Sequence, residues 1–456
     1  MMRVLRWVGI ALLALLLVAA ALWGASRLLG PTAEQRQAVE MFEALPPPQG
    51  SNAFPALWLL QWDVPETEQA AIAAGDAERF GALPALGDPA RTAALKDFRS
   101  AATGRYPDLE DTLASEPASC GLRAAGCLEH VRADRDAHAA RLQRASRLVE
   151  RVEAVADHDH YRSLLPPALD MPFPKLQLTT LAQTRHALQF VDGDVDAALA
   201  GTCRALGGWR QLAGDSDSVL VAMFAVAGIE GHAGLLAEML AELPVDHPLP
   251  AACGQALAPP QAGEFGLCTA MRGEWEYGLT ALDMIEPEQG WYGRMSRSLV
   301  LDRDATAALS AENLAWSCGE AAVRAVAEDH PMSPPHQDRG ILRFECVANA
   351  VGCILMDIAR PAYADYGLRM QDARARIGLL RTLEWMRGRA AAGDGRTAGE
   401  LLIALPDDLR GPVRTVDIDP DTGGLRMALF FARRDAYWSL PLPPTLRASG
   451  AGNAAP

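Results

Sequence analysis

The chain has 456 residues, of which 50% are hydrophobic but only 6% aromatic. Such a composition can bury a large core of alanine and leucine on packed helices. The formal net charge is −15. Without the three arginines of the first 30 residues, 39 basic and 57 acidic residues remain, or about −18. An acidic surface of this kind repels phosphate backbones, so no nucleic-acid partner is expected.

Residues 1–30 contain an almost unbroken apolar stretch, 7–25, between Arg3 and Arg6 on one side and Arg27 on the other. About 20 apolar residues match the roughly 30 Å hydrocarbon core of a bilayer. The stretch ends near Trp23, a residue type common at membrane interfaces. It predicts an uncleaved signal-anchor transmembrane helix. The alternative is a cleaved signal peptide, with the three alanines at 19–21 as the small-residue cleavage site.

Two arginines precede the apolar stretch and one follows it, so the positive-inside rule places the start of the chain in the cytoplasm. No second unbroken apolar run of that length is evident in the sequence. We therefore expect a single-pass inner-membrane protein with the bulk of its chain in the periplasm. The cell membrane is then one partner, bound through the N-terminal helix.

Residues 31–118 are punctuated by prolines and predict an irregular collar with short helices at 33–45 and 89–101. The apolar segment 54–62 is too short to cross a membrane; it is predicted to lie in the core rather than at the membrane interface. A single long amphipathic helix is predicted over 122–156.

Helices are predicted at 181–190 and 195–212, with a turn around Gly193 between them. The turn and second helix resemble those of a tetratricopeptide-type helix pair. A weaker echo of the pattern lies 38 residues later, at Gly231, after an apolar helix at 219–229. Two imperfect units do not make a repeat array, but they predict stacked antiparallel helices across a helical hairpin region, 119–250.

A second helical region is predicted at 251–410, with helices at 265–284, 306–328 and 341–389, the last broken at Pro361. Alternating apolar residues around the turn 419–424 predict a β-hairpin within 411–434, and 435–456 is expected to be a flexible tail. The fold class is therefore mainly α, with an N-terminal transmembrane helix, a periplasmic domain of antiparallel helix pairs and a small β-hairpin near the C-terminus.

An even number of cysteines in an exported chain predicts disulfides, and no zinc-type cysteine spacing competes with that interpretation. Some cysteines could instead be buried as small hydrophobic residues. The disulfide candidates are Cys120, Cys127, Cys203, Cys253, Cys268, Cys318, Cys346 and Cys353.

Cys120 and Cys127 flank a glycine-containing loop that could close on itself, and Cys253 and Cys268 could likewise pair around the loop at 259–260. Cys346 and Cys353 lie in the predicted helix. Their Cα atoms would be about 10.5 Å apart, too far for a disulfide. Each is therefore expected to pair elsewhere, with Cys203 and Cys318 as the candidates.

His158 and His160 alternate with aspartates, a pattern that could bind a divalent metal. Polar residues also commonly end a helix, which is the interpretation we favour. The acidic stretch 417–423 resembles a calcium loop, but its glycine falls at position seven and Ala428 stands where the loop needs an acid. A turn between strands explains it better. No metal site and no cofactor are predicted.

Carboxylates in apolar helical segments could act as a catalytic acid and base, and the candidates are Glu345, Asp357 and Glu276, with Glu274 beside it. The competing interpretation is that these groups form ion pairs within a helical core. Motifs for serine hydrolases, zinc proteases, P-loops and dinucleotide binding are absent from the sequence. The pattern favours a protein that is not an enzyme.

Three segments, 119–130, 235–250 and 345–366, resemble parts of uncharacterised membrane-anchored periplasmic proteins of high-GC Gram-negative bacteria. The resemblance covers most of the exported region and implies no activity.

The leading hypothesis is a membrane-anchored periplasmic scaffold that binds another envelope protein. A narrower version is an immunity protein against a periplasmic toxin. The alternative is a hydrolase that acts on envelope material with buried carboxylates.

Overall fold

The computed structural model describes residues 2–85, 88–113, 117–261, 263–284, 298–332, 334, 343–411, 413–433 and 435–447, without the side chains of 2, 283–284 and 359–362. The protein is mainly helical with a small antiparallel sheet, as predicted. The helices of the first half are α1 (Met2–Leu29), α2 (Ala33–Glu43), α3 (Phe54–Trp58), α4 (Glu66–Gly81), α5 (Pro89–Asp97), α6 (Cys127–Ala133), α7 (Arg135–Arg144), α8 (Ser146–Ala154), α9 (Thr180–Val191), α10 (Val195–Gly214) and α11 (Val219–Glu242).

The second half contributes α12 (Ala251–Ala256), α13 (Cys268–Met284), α14 (Arg303–Leu314), α15 (Gly319–Ala327), α16 (Ala350–Ala391) and α17 (Ala398–Ile403), followed by strands β1 (Val416–Ile418), β2 (Leu425–Ala428) and β3 (Tyr437–Leu440). Short 3₁₀ turns join several of these elements. The buried apolar side chains form one connected core that draws on residues from Ala38 to Leu446.

Helix α1 is long and apolar enough to cross a membrane, and its apolar window is 0% buried against the rest of the chain. Helix α11 also meets the length and composition requirement, although only one such segment was expected. The apolar window of α11, however, is 78% buried. Since α11 packs between α10 and α16, the hydropathy of α11 is explained by its place in the domain core.

The predicted helical hairpin around Gly193 is confirmed. Helix α9 ends at Val191, Gly193 takes a φ of +89°, and α10 returns from Val195. A positive φ is easily adopted only by glycine, which is why the chain can reverse here within three residues. The antiparallel pair then packs with α11 to form the centre of the domain.

The predicted second turn at Gly231 is wrong, because α11 runs through it without interruption. A Cβ atom at residue 231 would stand 2.9 Å from the carbonyl oxygen of Leu122 and 2.7 Å from the side chain of Gln183. Gly231 therefore permits close contact with neighbouring segments inside a helix. The sequence echo is not a structural repeat.

Other helix predictions also need correction. The expected helix at 122–156 is three helices, α6 to α8, separated by non-helical backbone at Asp134 and Ala145. The helix predicted at 306–328 is divided into α14 and α15 by a 3₁₀ turn. Conversely, α16 continues past Pro361. A proline removes one helical hydrogen bond, and 42 residues of helix packed on α11 and α14 outweigh that loss.

The apolar segment 54–62 is buried in the core, as predicted. The side chains of Phe54, Leu57, Leu59 and Leu60 are at most 1% exposed. The guanidinium of Arg151 donates hydrogen bonds to the carbonyl oxygens of Leu59 and Leu60 at the end of this segment.

The predicted β-hairpin pairs Val416 with Met427 and Ile418 with Leu425. A third strand, β3, pairs with β2, so the expectation of a flexible tail from 435 onward is wrong as far as residue 447. The carboxylate of Asp419 accepts hydrogen bonds from the backbone of Asp421 and the hydroxyl of Ser439, which lowers its pKa. The acidic stretch is therefore a turn stabilised by its own side chain.

All eight cysteines form disulfides, and the pairing partly contradicts the prediction. Cys120–Cys127 closes its loop as expected. The other pairs are Cys203–Cys253, Cys268–Cys318 and Cys346–Cys353. The last pair exists because α16 begins only at Ala350, after a 3₁₀ turn that contains Cys346 and a break at Asn349. Its Cα atoms are 5.9 Å apart instead of the expected 10.5 Å.

Candidate functional site

A cleft lies between the start of α11, the middle of α13, the segment of α16 near residue 366 and the loop 161–173. It consists of two adjoining hollows of about 400 and 700 Å³, which share Leu220 and Glu274. The smaller hollow combines three acids, Asp217, Glu274 and Glu276, with mainly apolar residues of the loop. The larger is mainly apolar.

Asp217 is held in the smaller hollow by a network of backbone hydrogen bonds. The N–H of Asp217 donates to the carbonyl of Tyr161 at 3.1 Å, and the N–H of Tyr161 donates to the carbonyl of Asp215 at 2.9 Å. Ser218 then caps α11 through its hydroxyl. Because both sides of the turn are fixed, the carboxylate of Asp217 has a defined position at the helix start.

The N–H of Ser163 donates to the Asp217 carboxylate, with distances of 3.3 and 3.2 Å to its two oxygens. Burial raises the pKa of Asp217 to about 7, although the hydrogen bond from Ser163 and the charge of Arg162 act in the opposite direction. Desolvation disfavours the ionised carboxylate. At neutral pH this carboxyl group therefore exchanges readily between its protonated and ionised forms.

Glu274 lies on α13, where the two hollows meet. Its carboxylate is 3.5 Å from the hydroxyl of Tyr363, which donates to it, and it also accepts the backbone N–H of Val219. Burial raises the pKa of Glu274 despite these donors. The pKa of Tyr363 is raised as well, first by burial and then by the neighbouring Glu274.

The larger hollow has an apolar floor formed by Leu220, Met223 and Phe224 of α11. Leu220 is 52% exposed although it lies in the middle of the cleft. The rest of the first turn is covered, because Val219 and Val221 are at most 4% exposed, and Leu220 lies on the side of α11 that faces the cleft.

Arg369 of α16 lines the larger hollow together with Arg123. Its guanidinium stacks on the ring of Phe431 at 4.1 Å, and its Nε is buried without a hydrogen-bond partner. Burial lowers the pKa of Arg369, and the nearby charge of Arg123 lowers it further. A negatively charged group bound beside Arg369 would stabilise its charged form and so offset the lowering of its pKa.

The cleft thus presents acids in one hollow, an apolar floor in the other, and arginines at that floor. Such an arrangement suits a ligand with an apolar middle and charges of both signs. A carboxyl group with a pKa of about 7 could also give or accept a proton during a reaction.

Two of the carboxylates considered as catalytic candidates, Glu276 and Glu274, lie in the cleft. Glu276 lines the smaller hollow and is paired with Arg272 at 2.9 Å. Glu345 and Asp357 lie elsewhere, on either side of Arg343, at 3.5 and 2.9 Å. They form ion pairs, as the competing interpretation expected, but at 31% and 49% exposed they do not lie within a helical core.

His158 and His160 do not meet as a pair of metal ligands. His158 borders a separate polar hollow of about 740 Å³, whereas the Nδ1 of His160 is 3.2 Å from the carbonyl oxygen of Gln49. The carboxylate of Asp159 between them accepts hydrogen bonds from the backbone and hydroxyl of Ser51. Within the described ranges, no group of three or more potential ligands could hold a metal ion.

The sequence did not single out Asp217, Tyr363 or Arg369 as site residues. Asp217 belongs to a polar turn between two helices, where aspartate is common for local reasons. Nothing in its neighbourhood along the chain shows that α13 comes to lie against it.

Fold and cleft together define a disulfide-bonded helical domain that follows an apolar helix long enough to cross a membrane. Comparisons with protein-family models, curated proteins and solved structures found no match for this chain.

Proposed function

We propose that this protein is a single-pass inner-membrane protein whose periplasmic domain binds a segment of another envelope protein in the cleft. The exposed apolar surface of α1 supports membrane insertion. Four disulfides within the described residues support an oxidising compartment such as the periplasm.

The exposure of Leu220 is the observation that carries the binding proposal. A leucine that stays in water in the middle of a concave, partly apolar surface is unfavourable, because its burial would lower the free energy. A partner side chain in the cleft would cover it. The acids beside it would receive a basic group, and Arg369 would receive an acidic one. The ligand class is therefore a peptide segment with apolar side chains between opposite charges.

Photocrosslinking in the native membrane tests this proposal. The full chain carries benzoylphenylalanine in place of Leu220, and we expect one discrete adduct that is lost when Arg369→Met is added. The matched control places the same group at Ile403, an exposed isoleucine of α17 outside the cleft, and should give no such adduct.

Absence of an adduct at residue 220 would contradict the proposal, as would the same adduct at both positions. Thermal unfolding of Arg369→Met shows whether the variant remains folded. If it does not, Tyr366→Ala provides a second change in the larger hollow.

A narrower form of the proposal makes the partner a periplasmic toxin and this protein its immunity partner. A toxin gene beside this one would support it. Co-expression with the toxin should then protect cells, and Leu220→Asp should abolish protection while Ile403→Asp retains it.

A hydrolase that acts on envelope material is the second candidate, and the raised pKa values of Asp217 and Glu274 in one cleft favour it. Purified envelope material incubated with the full-length protein in detergent should then release soluble fragments. Asp217→Asn and Glu274→Gln should each abolish release without loss of folding. A folded wild-type protein with no activity at any pH between 5 and 9 would count against it.

A further inference from the structure

The outer end of α1 is joined rigidly to the domain. The indole N–H of Trp23 donates to the carbonyl oxygen of Leu299 at 2.7 Å. The hydroxyl of Ser26 donates to the carbonyl oxygen of Phe344 at 2.8 Å. The backbone N–H of Ala348 in turn donates to the Ser26 hydroxyl, and Arg27 is paired with Asp302 at 3.2 Å. No flexible linker separates the helix from the domain, because α1 is continuous to Leu29.

These contacts fix the height of the domain above the membrane. If α1 spans the bilayer, Trp23 lies at the outer interface. Ser26 is three residues further along the helix, which corresponds to about 4.5 Å. The backbone at Leu299 and Phe344 therefore lies at the level of the lipid headgroups.

The surface at this level is unusually apolar. We call the following exposed side chains the apolar collar, and each is between 41% and 89% exposed: Leu28, Leu29, Leu299, Val300, Phe344, Val347, Ile354 and Ile358. Single exposed apolar residues are ordinary, but a cluster of this size indicates an interaction surface.

The three segments of the collar outside α1 are tied together. The backbone N–H of Val351 donates to the carbonyl of Val300 at 3.0 Å. The Cys346–Cys353 disulfide joins the Phe344 turn to the first turns of α16. Ser26 and Cys353 border the same small cavity, so the start of α16, with Ile354, lies beside α1.

We propose that the apolar collar is embedded in the lipid interface, so that the domain is seated on the bilayer instead of moving freely on a tether. A lipid surface is the occupant that the geometry favours, because the collar continues the exposed apolar surface of α1. Two acids at the collar have basic partners, since Asp357 pairs with Arg343 and Asp302 with Arg27. Ion pairs are compatible with the headgroup layer.

This proposal rests on insertion of α1 into the membrane, which is part of the proposed function. The following experiment distinguishes failure of the apolar collar from failure of α1 to insert. The full-length protein is reconstituted in lipid nanodiscs with one added cysteine that carries an environment-sensitive fluorophore, at Leu16, Ile358 or Ile403. Leu16 lies inside the apolar window of α1, and Ile403 is an isoleucine 80% exposed on α17, outside the collar.

We expect blue-shifted emission and strong quenching by nitroxide lipids at residues 16 and 358, and water-like emission without quenching at 403. If residue 16 is quenched but 358 resembles 403, the collar proposal is overturned while the anchor stands. If neither is quenched, the anchor itself is wrong. Blue-shifted but unquenched emission at 358 would mean that protein covers the collar, which also overturns the proposal. A fluorophore at Val347 repeats the test if the Ile358→Cys protein does not fold.

Discussion

Gly273 of α13 lies against the backbone of Asp217, so closely that a Cβ atom at residue 273 would overlap the carbonyl oxygen of Asp217. Both residues line the smaller hollow of the cleft. Because Gly273 has no side chain, the backbone of Asp217 can lie against α13. This contact helps to fix the position of the Asp217 carboxylate.

Gly273→Ala should destabilise the protein by about 1–3 kcal/mol, because an added methyl group in a fully packed contact forces the backbone to move. Gly278→Ala on the same helix is the control, since the nearest neighbour of its Cβ would be the Ser310 hydroxyl at 4.0 Å. It should be neutral or slightly stabilising, as alanine favours helix. Urea unfolding of the full chain in detergent measures both, and equal effects would contradict the close contact.

Asp217 should make stability depend on pH. Its carboxyl pKa is raised to about 7 in the folded protein from an ordinary value of 3.8. The folded state therefore keeps a proton that the unfolded state releases between these values. This contribution to stability is fully present below pH 3.8 and is lost as the pH rises through 7. Relative to wild type, Asp217→Asn should gain of order 4 kcal/mol between pH 4 and pH 8.

Unfolding midpoints measured from about pH 2 to pH 8 check the prediction for Asp217 and include the range in which Asp159 takes up its proton. Asp159→Asn gives a comparison of opposite sign, because hydrogen bonds from Ser51 lower the pKa of Asp159. The Asp159 carboxylate contributes stability above pH 3.8 that is lost as the pH falls further. A constant difference between wild type and Asp217→Asn at every pH would show that the Asp217 carboxyl is not buried as described.

Arg414 should be among the most sensitive positions of the C-terminal part. It is 2.6 Å from Asp372 and also paired with Asp329, and all three side chains are at most 8% exposed. Arg414→Met leaves two buried carboxylates without their partner and should cost about 3–5 kcal/mol. Arg433→Met is the control, since Arg433 is paired with Asp365 but is 75% exposed, and should change stability by less than about 1 kcal/mol.

Thermal unfolding measures the two arginine variants. A loss below about 1 kcal/mol for Arg414→Met would contradict a buried ion pair between the helical core and the sheet.

The disulfides should differ in their effect on stability. Cys203–Cys253 joins residues 50 apart, whereas Cys120–Cys127 joins residues seven apart. The larger loop restricts the unfolded chain more, and the chain-entropy relation gives roughly 4 kcal/mol against roughly 2.5 kcal/mol. Urea unfolding of the two double-alanine variants, each compared with wild type, should therefore show the larger loss for Cys203/Cys253. The reverse order would mean that native-state effects dominate.

Local features were predictable from the sequence. The length and hydropathy of the first helix, the turn at Gly193 and the hairpin turn after Ile418 each depend on a few adjacent residues whose preferences do not need the rest of the chain. Even so, local patterns misled at Gly231 and at Cys346. A glycine can be required for close packing as well as for turns, and a helix that starts at Ala350 instead of residue 341 changes which cysteines can reach each other.

The cleft depended on the tertiary structure. Asp217, Glu274 and Tyr363 are separated by more than 50 residues from one another along the chain, and burial by the other elements is what raises their pKa values. The sequence by itself determined the helical character, the apolar first helix and the presence of eight cysteines. Only the tertiary structure decided the disulfide pairs, the acids that share a cleft and the apolar collar beside α1, because each requires residues from distant segments to pack together.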